Sequence, residues 1–543
     1  MRKIIKYLLL FLSVNEMYAQ WSTNTNLNTP ICTAFTKQND PRIIQDGNGG
    51  AFITWKDERN GLPDIYVQRI NKDGYILWTL NGISACDDTS DQSTPNLVTD
   101  MQGGIIVSWS DRRTGIDRDV FVQRIDSNGT ELWTHNGVAI ATKPNREHNE
   151  KICSDGAGGA IIVWEQEDAQ WDVWAQRVNN NGVIQWTAGG IPLTTAVGNR
   201  INPKIQKDGK GGAIVTWQDN RTGFYDIYAQ RIDALGNYVW SPLGLPICLA
   251  PNTQSSPKID PSNSTGGAYI TWTDKRNGVD YDIYVQKIDS SGNLLFPPNG
   301  IPVCIASGNQ SAPDILSNKV EGVIICWKDN RATNTDIYAQ RIDAAGNIMW
   351  TLNGVAICTS PNDQLNPNIC EDMQGGAIIV WQDSSNANDY DIKAQRVDYL
   401  GNIVWTVNGE VVCNAVDVQK SPKNISDDRG GSIFVWQDKR SGSNDIYAHH
   451  FFSNGTYIDN TSVQNLSTTE KVLIYPNPTS DYLYLNFIEN ISIINIYDVS
   501  GKNIFSEKYP TNKIDLSSFS PSLYFLEIIK KDGATIYNKI EKQ

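Results

Sequence analysis

One segment of the chain brings together side chains suited to carbohydrate chemistry. The sequence EQEDAQWDVW, with a histidine upstream, combines carboxylates and aromatic rings: Glu165, Glu167, Asp168, Trp171, Trp174 and His148. Aromatic rings stack on sugar faces, and carboxyl groups bind hydroxyls or protonate a leaving oxygen. This pattern predicts a ligand-binding or glycan-cleaving site, with the acids and tryptophans in an exposed loop. The alternative interpretation is drift within a tolerant loop.

A second polar motif recurs in at least five places, which favours a structural role. Each occurrence has the order Asp, Arg, Asp, as in Asp57, Arg59, Asp64 and in Asp219, Arg221, Asp226. An arginine can bridge two carboxylates, or neighbouring repeats, by bidentate hydrogen bonds. The functional alternative is a ring of ligand-binding carboxylates or calcium sites. No cluster has metal-ligand spacing, so no metal or cofactor is predicted.

The cysteines share repeat positions and are predicted to be free thiols. Six of the nine occupy one equivalent position, which is alanine or threonine in two other repeats: Cys32, Cys86, Cys248, Cys304, Cys358 and Cys413. Equivalent points on adjacent repeats lie beyond the reach of about 7 Å that a disulfide allows. We therefore expect a buried slot for a small side chain.

Composition and motifs narrow the function classes. A net charge of -14, without a basic stripe, argues against nucleic-acid binding. The chain has four histidines and no GxSxG motif. From these features the sequence predicts that the chain is not an enzyme.

A strict internal repeat organises the first 458 residues. The anchoring tryptophans of eight units are separated by 53 to 55 residues: Trp55, Trp109, Trp164, Trp217, Trp272, Trp327, Trp381 and Trp436. Within each unit, short β-branched runs alternate with Gly, Asn and Asp turns and show no helical period. Four short strands per unit, as in PKIQKD, GGAIVTW, DIYAQRI and the segment from Trp240 through GLPIC, indicate a β-propeller blade.

The ends of the repeat array predict how the ring closes. The last unit lacks its outer strand, whereas residues 21–40 match the end of a repeat. The N-terminal strand should therefore complete the eighth blade and leave no open edge, which predicts a monomer. The turn in RIDALGNYVW also resembles the blade turn of propellers that bind pyrroloquinoline quinone. That likeness supports the fold and implies no cofactor.

The C-terminal residues differ abruptly in composition and carry their own motifs. These are Pro476, Asn477 and Pro478 after a tyrosine, the turn IYDVSGK ending at Gly501 and Lys502, and the LSSFSPSLYFLEI segment containing Tyr524. Together they resemble the C-terminal (type A) sorting domain of type IX secretion cargo in the Bacteroidota. The resemblance implies the type IX machinery as a partner and passage across the outer membrane.

The whole chain is therefore predicted to be all-β and exported. Arg2, Lys3 and Lys6 precede a short apolar run, which is the layout of a signal peptide. The expected divisions are a signal peptide (1–19), an eight-bladed β-propeller closed by an N-terminal strand (20–458), a linker (459–470) and a small β-sandwich sorting domain (471–543). Export through the periplasm to the cell surface or the medium follows.

Two principal functions remain open at this stage. The leading expectation is a noncatalytic adhesion protein whose propeller face binds an extracellular polymer, either polysaccharide or matrix protein. The alternative is a secreted carbohydrate-active enzyme, a glycoside hydrolase or lyase, that uses acids of the third unit. An envelope scaffold without a small ligand is a further possibility.

Overall fold

The computed structural model describes residues 21–457 except 116, 263–265, 318–321 and 385–388. In the C-terminal part it describes 474–475, 479, 481–485, 491–499, 501–508, 510–511, 513–531 and 535–542. The chain forms two compact units, Met1–Ile458 and Asp459–Gln543. The predicted signal peptide and linker lie outside the described residues. No helix occurs within the described part, and accordingly none there could span a membrane.

The first unit is built from thirty-two strands in chain order. Those of the first four blades, preceded by the closing strand, are β1 (Thr29–Cys32), β2 (Gln38–Gln45), β3 (Ala51–Asp57), β4 (Asp64–Ile70), β5 (Ile83–Cys86), β6 (Gln92–Thr99), β7 (Ile105–Asp111), β8 (Asp119–Ile125), β9 (Val138–Ala141), β10 (Glu147–Ser154), β11 (Ala160–Glu167), β12 (Trp171–Val178), β13 (Ile191–Pro192), β14 (Arg200–Lys207), β15 (Ala213–Asp219), β16 (Asp226–Ile232) and β17 (Leu245–Cys248). Those of the last four are β18 (Gln254–Pro261), β19 (Ala268–Asp274), β20 (Asp282–Ile288), β21 (Ile301–Cys304), β22 (Gln310–Ser317), β23 (Gly322–Asp329), β24 (Asp336–Asp343), β25 (Val355–Cys358), β26 (Gln364–Glu371), β27 (Ala377–Asp383), β28 (Asp391–Val397), β29 (Glu410–Cys413), β30 (Gln419–Ser426), β31 (Ser432–Asp438) and β32 (Asp445–Phe451).

These strands form eight four-stranded antiparallel sheets, which confirms the eight-bladed propeller. In the fourth blade the order is β14-β15-β16-β17, with the first strand innermost. In the last blade the order is β1-β32-β31-β30, so the N-terminal strand closes the ring as predicted. The outer strands are shorter than expected. Trp240, for example, precedes β17 instead of belonging to it.

The blade cores follow from the apolar pattern of the second and third strands. Every residue of β15 and β16 is buried, because both faces of these strands pack against neighbouring blades. The anchoring tryptophans, such as Trp217, are fully buried. Inner strands alternate instead, because one of their faces meets the central channel.

The Asp-Arg-Asp motif is a structural clasp, although it does not bridge two carboxylates as proposed. Arg59 binds both oxygens of Asp57, with Nε–Oδ1 2.9 Å and Nη2–Oδ2 2.6 Å. The Trp55 Nε1–H also donates to Asp57 Oδ2 at 2.8 Å. The second aspartate, Asp64, accepts from Asn60 Nδ2 at 2.8 Å. The Asp219–Arg221 pair repeats this arrangement, with Asp226 bound by the Thr222 hydroxyl.

The clasp also explains the repeated cysteine. The Arg59 guanidinium lies 3.0 Å from Cys32 Sγ, which belongs to the preceding blade. All nine cysteines are buried and free, as predicted. Burial is the largest cause that raises the pKa of Cys32 to about 12, so this thiol stays protonated.

A second clasp joins each blade to the next on the opposite face. Arg231 binds Asp208 of its own blade and donates through Nη1 to Ser290 O of the next blade at 2.8 Å. Trp240 Nε1 donates to the same carbonyl at 3.3 Å. The turn below needs glycine: Gly236 has φ 86°, and a Cβ there would lie 3.0 Å from a neighbouring indole.

Every inner strand carries a bulge near its start. The bulged residue has positive φ in all eight blades: Asp40, Thr94, Asn149, Asn202, Ser256, Ala312, Asn366 and Ser421. The pairing register shifts at each of these points. A bulge changes the direction of the adjacent side chains. Here the residue two positions after the bulged one faces the channel.

The second unit is a small sandwich of two sheets. One contains β33 (Ile474–Tyr475), β34 (Tyr482–Leu485) and β37 (Lys513–Asp515); the other contains β35 (Ile491–Tyr497), β36 (Asn503–Lys508), β38 (Ser522–Lys530) and β39 (Thr535–Lys542). Leu483, Ile494 and Leu526 are among its buried core residues.

The motif residues of this second unit fall at turns and strand starts. Gly501 has φ 81° and forms a turn with Lys502, whose N–H donates to Asp498. Tyr524 donates its hydroxyl to Ser520 O at 2.7 Å. Pro476, Asn477 and Pro478 lie outside the described residues.

The clasp can be tested by removing its carboxylate. Asp219→Ala should lower the free energy of unfolding by about 3–5 kcal/mol, because it leaves a half-buried guanidinium and a buried indole N–H without their acceptor. The matched control is Gln166→Ala, at the same repeat position in the third blade, where no arginine follows. Its cost should be about 1 kcal/mol. Urea denaturation followed by tryptophan fluorescence measures both, and equal costs would contradict the clasp.

Ring closure can be tested at Arg440. Its Nη1 donates to Asn26 O and Leu27 O, both at 2.8 Å, and therefore holds the N-terminal segment. Arg440→Ala should speed amide hydrogen exchange in residues 21–36 about ten-fold or more, since one charged hydrogen bond is worth about 1.5–3 kcal/mol. In Arg221→Ala, where the chain is continuous, that segment should exchange at its original rate. Exchange unchanged in both variants would count against this closure.

Candidate functional site

The third blade differs from the others in the hairpin between its second and third strands. Without the Asp-Arg loop, pairing of β11 with β12 continues to the Glu167–Trp171 pair. Consequently Glu165 and Glu167 lie on β11, and Trp171 and Trp174 lie on β12. His148, expected in a loop, lies on the inner strand β10. The predicted exposed loop is thus a rigid hairpin at the channel mouth.

Glu165 is the most enclosed of the predicted residues. It is 5% exposed and lies where the third and fourth blades meet. Its Oε1 accepts from Asn149 Nδ2 at 2.5 Å and from the Asn202 backbone N–H at 2.7 Å. Glutamine occupies this repeat position in the fourth, seventh and eighth blades, and Glu165 alone has a carboxylate there. The third blade therefore places a buried acid where three other blades have a neutral acceptor.

His148 is the cross-strand neighbour of Glu165. The two residues pair in register, and His148 Nε2 lies 3.8 Å from Glu165 Oε2. Burial lowers the pKa of His148 below its ordinary value, while Glu165 acts in the opposite direction. Arg146 and Lys151 also lower it and Glu167 raises it, so the imidazole is neutral near pH 7.

The two tryptophans have different surroundings. The Trp171 ring meets the His148 ring edge to face at a centroid distance of 4.8 Å and is half-buried. The Trp174 ring is covered by Lys143, whose Nζ lies 3.2 Å from the ring centroid. Arg59 covers Tyr66 in the same way, so Trp174 repeats a structural stack. Trp171 remains the aromatic surface beside the histidine.

Glu167 and Asp168 are exposed at the rim of this hairpin. Of the six predicted residues, the structure thus brings Glu165, His148 and Trp171 together. Glu167 and Asp168 lie at the edge of the hairpin, and the ring of Trp174 is covered by Lys143.

Other charged substitutions flank the third blade on both sides. Arg200 and Glu147 stand where other blades have a buried glutamine. Arg200 forms an ion pair with Asp172 of the third blade. Burial is the main cause that raises the pKa of Glu147 to about 8. The asymmetry of the ring is therefore greatest around the third blade.

The sequence analysis missed a set of cations in the central channel. In five blades the residue two positions after the bulged one is a cation: Arg42, Lys151, Lys204, Lys258 or Lys423. Four of these, all but Lys151, line a cavity of about 450 Å³ on the face that bears the third-blade hairpin. A search for basic runs cannot find them because they are about 54 residues or more apart. Reading one column of the repeat would have found them.

This mouth combines a neutral base, a buried acid, an aromatic ring and nearby cations. Lys151 and Lys204 are close enough to Glu165 to interact with it electrostatically. Among the described residues no group of three His, Cys, Asp or Glu side chains could hold a metal ion. The chemistry available is proton transfer and anion binding.

The comparison with known families concerns the C-terminal unit. The secretion system C-terminal sorting domain matches residues 473–543. The chain is therefore type IX secretion cargo, exported to the cell surface or the extracellular space, and its sorting domain interacts with that machinery.

Comparisons with individual proteins give carbohydrate-active relatives. The chain is 33% identical over 72 residues to β-agarase D of Zobellia galactanivorans, which is 13% of this chain and 15% of the agarase. The chain thus spans a small part of that relative's length. A solved ulvan lyase has 11% identity, a TM-score of 0.42, and coverage of 82% of this chain and 98% of its own. An endo-arabinase from Bacteroides thetaiotaomicron has 15% identity, a TM-score of 0.29, and coverage of 52% and 98%.

These relatives correct one prediction. The expectation that the chain is not an enzyme is contradicted, because the similar proteins are glycoside hydrolases, a polysaccharide lyase and an agarase. The similarities to solved structures otherwise concern the fold.

The electrostatic coupling within the site can be measured directly. Glu165→Gln should lower the pKa of His148 further, because it removes the carboxylate that opposes the effect of burial. Glutamine keeps the acceptor for Asn202 and is the residue of three other blades. NMR titration of histidine ring carbons would report the change, with exposed His135, whose pKa Glu131 raises, as an internal control. An unchanged or higher pKa for His148 would exclude the coupling.

Proposed function

We propose that the propeller is a secreted carbohydrate-active enzyme that cleaves an extracellular polysaccharide at the channel mouth of the third blade. The observation that carries the proposal is the His148–Glu165 pair. Both residues depart from the repeat, they face each other across two strands, and they lie beside the half-buried ring of Trp171. Residue types that occur in one blade alone are where a near-symmetric ring can acquire an asymmetric site.

The geometry assigns a different task to each residue. His148 Nε2 faces Glu165, which leaves Nδ1 free to accept a proton from water or from a sugar carbon. Glu165, held by two hydrogen bonds, stabilises the imidazolium that forms. The same imidazolium can then return the proton to the leaving glycosidic oxygen. Trp171 offers a ring for sugar stacking, and Glu167 and Asp168 offer acceptors for hydroxyls at the rim.

The site is compatible with two classes of cleavage. If the proton comes from water, the reaction is hydrolysis and yields a saturated reducing end. If it comes from a sugar carbon next to a carboxylate, the reaction is an elimination and yields an unsaturated end. The cations in the channel favour the second class, because they can neutralise the carboxylate whose neighbouring proton is removed.

Turnover is tested with the purified full-length protein and a panel of neutral and acidic polysaccharides. We expect oligosaccharide products from at least one acidic polymer, identified by mass spectrometry. His148→Ser, which installs the residue of three other blades, should lower the rate about 10²–10⁴-fold by removing the proton-transfer group. Glu165→Gln should lower it less, because the imidazole remains. Ultraviolet absorbance of unsaturated ends separates elimination from hydrolysis.

The matched control is Lys420→Ser, the same repeat position in the eighth blade. It should leave the rate within about a factor of two, as is usual for an exposed substitution away from a site. A His148→Ser variant as active as the original chain, or a panel without cleavage, would refute the proposed function.

A further inference from the structure

The central channel has a positive lining inside an acidic protein. Of the charged residues around its cavity of about 450 Å³, four are cations and one, Asp40, is an anion. The chain as a whole has a net charge of -14. The cations come from four different blades: Arg42, Lys204, Lys258 and Lys423. Lys151 holds the equivalent position in a fifth.

Most of these cations have no carboxylate partner. Lys258 forms an ion pair with Asp314, Nζ–Oδ1 2.9 Å. In the described part of the chain, Arg42, Lys204 and Lys423 make no ion pair within 4.0 Å, and the contact of Lys204 is with a backbone carbonyl, Pro203 O at 3.1 Å. Their side chains are half-exposed to the cavity. Donors from several blades thus line one cavity.

This clustering of cations is electrostatically unfavourable. Burial, followed by repulsion from Lys151 and Lys258, lowers the pKa of Lys204 to about 7, against an opposing effect of Glu165. Burial, followed by repulsion from Arg42 and Lys258, lowers the pKa of Lys423 to about 7, against Asp314 and Cys326. The second and seventh blades place asparagine at this position, so the fold does not require a cation there.

We propose that this cavity binds the sulfate or carboxylate substituent of an acidic polysaccharide, with Arg42, Lys204, Lys258 and Lys423 as donors. A volume of about 450 Å³ is within the range of about 300–1,000 Å³ for small-ligand sites. Convergent ammonium and guanidinium groups are the donors that bind such anions by charge-assisted hydrogen bonds.

Asn202 connects the cavity to the third-blade site. Asn202 lines the cavity and donates its backbone N–H to Glu165. A sugar that places its anionic group among the lysines would therefore have a neighbouring residue near His148. The identity of the polymer as substrate rests on the proposed function, whereas binding of the anion does not.

Binding is measured by calorimetry at pH 6 on the full-length His148→Ser variant, so that no cleavage interferes. The probes are an oligogalacturonate, a sulfated oligosaccharide, a neutral oligosaccharide of equal length, inorganic sulfate and inorganic phosphate. We expect one of the acidic oligosaccharides to bind and the neutral one not to. Adding Lys423→Asn should weaken that binding about ten-fold or more, since a charged hydrogen bond contributes about 1.5–3 kcal/mol.

The control for this variant is Lys420→Asn, which removes the same charge from the same inner strand at an exposed position. It should leave the affinity unchanged. If both variants weakened binding equally, the effect would come from long-range electrostatics and not from the cavity, and the proposed site would be wrong. Equal binding of the neutral oligosaccharide, or no binding of any acidic probe, would also overturn it. Binding of inorganic anions alone would overturn the polysaccharide as the source of the anion.

The pH dependence has a definite sign. Because the bound anion favours the protonated lysines, affinity should fall as the pH rises through about 7. Binding at pH 7.5 should take up protons, which calorimetry in buffers of different ionisation enthalpy detects. If cleavage fails but these results hold, the proposed function falls and the anion site stands.

Discussion

One backbone carbonyl per blade boundary determines how the ring is assembled. On the face opposite the channel mouth, Ser290 O accepts from Arg231 and from the Trp240 indole of the preceding blade. The arginine is itself fixed by an aspartate, Asp208, in the hairpin of its own blade. Each clasp thus joins two hairpins and a turn by hydrogen bonds. These bonds fix the angle between neighbouring blades. Repeating that angle brings the last blade to the first.

The closing boundary shows the same constraint with different residues. His450 replaces the arginine and lies 2.9 Å from Asp427. Trp21, from the N-terminal segment, stacks on His450 and donates to Lys72 O at 2.8 Å. The carbonyl of the first blade is therefore bound by a tryptophan of the N-terminal segment, in the place that a tryptophan of the preceding blade takes at Ser290 O. Closure also requires β1 to pair with β32, which joins the two ends of the repeat array.

The repeat let the sequence predict the fold, because strand pattern, period and missing outer strand are all local signals. The free cysteines followed from the same columns. The site was less accessible. The sequence singled out Glu165 and His148 in the third blade. It did not predict that they lie on strands, because Glu165 is on a strand only when the hairpin pairs as far as Glu167. The lysines were missed, because their positive charge is gathered only when the ring closes.

The inner strand reconciles a rigid ring with a variable site. Its bulge is fixed by hydrogen bonds such as that from the Ser256 N–H to Gln218 of the preceding blade, 3.0 Å. The side chain two residues further on then faces the channel, and the fold does not fix its identity, which is Arg, Lys, Asp or Asn in different blades. Charge can accumulate there without disturbing the clasps. Burial and mutual repulsion oppose that charge, and an anionic ligand would offset both, so the position best able to vary is also the one best able to bind.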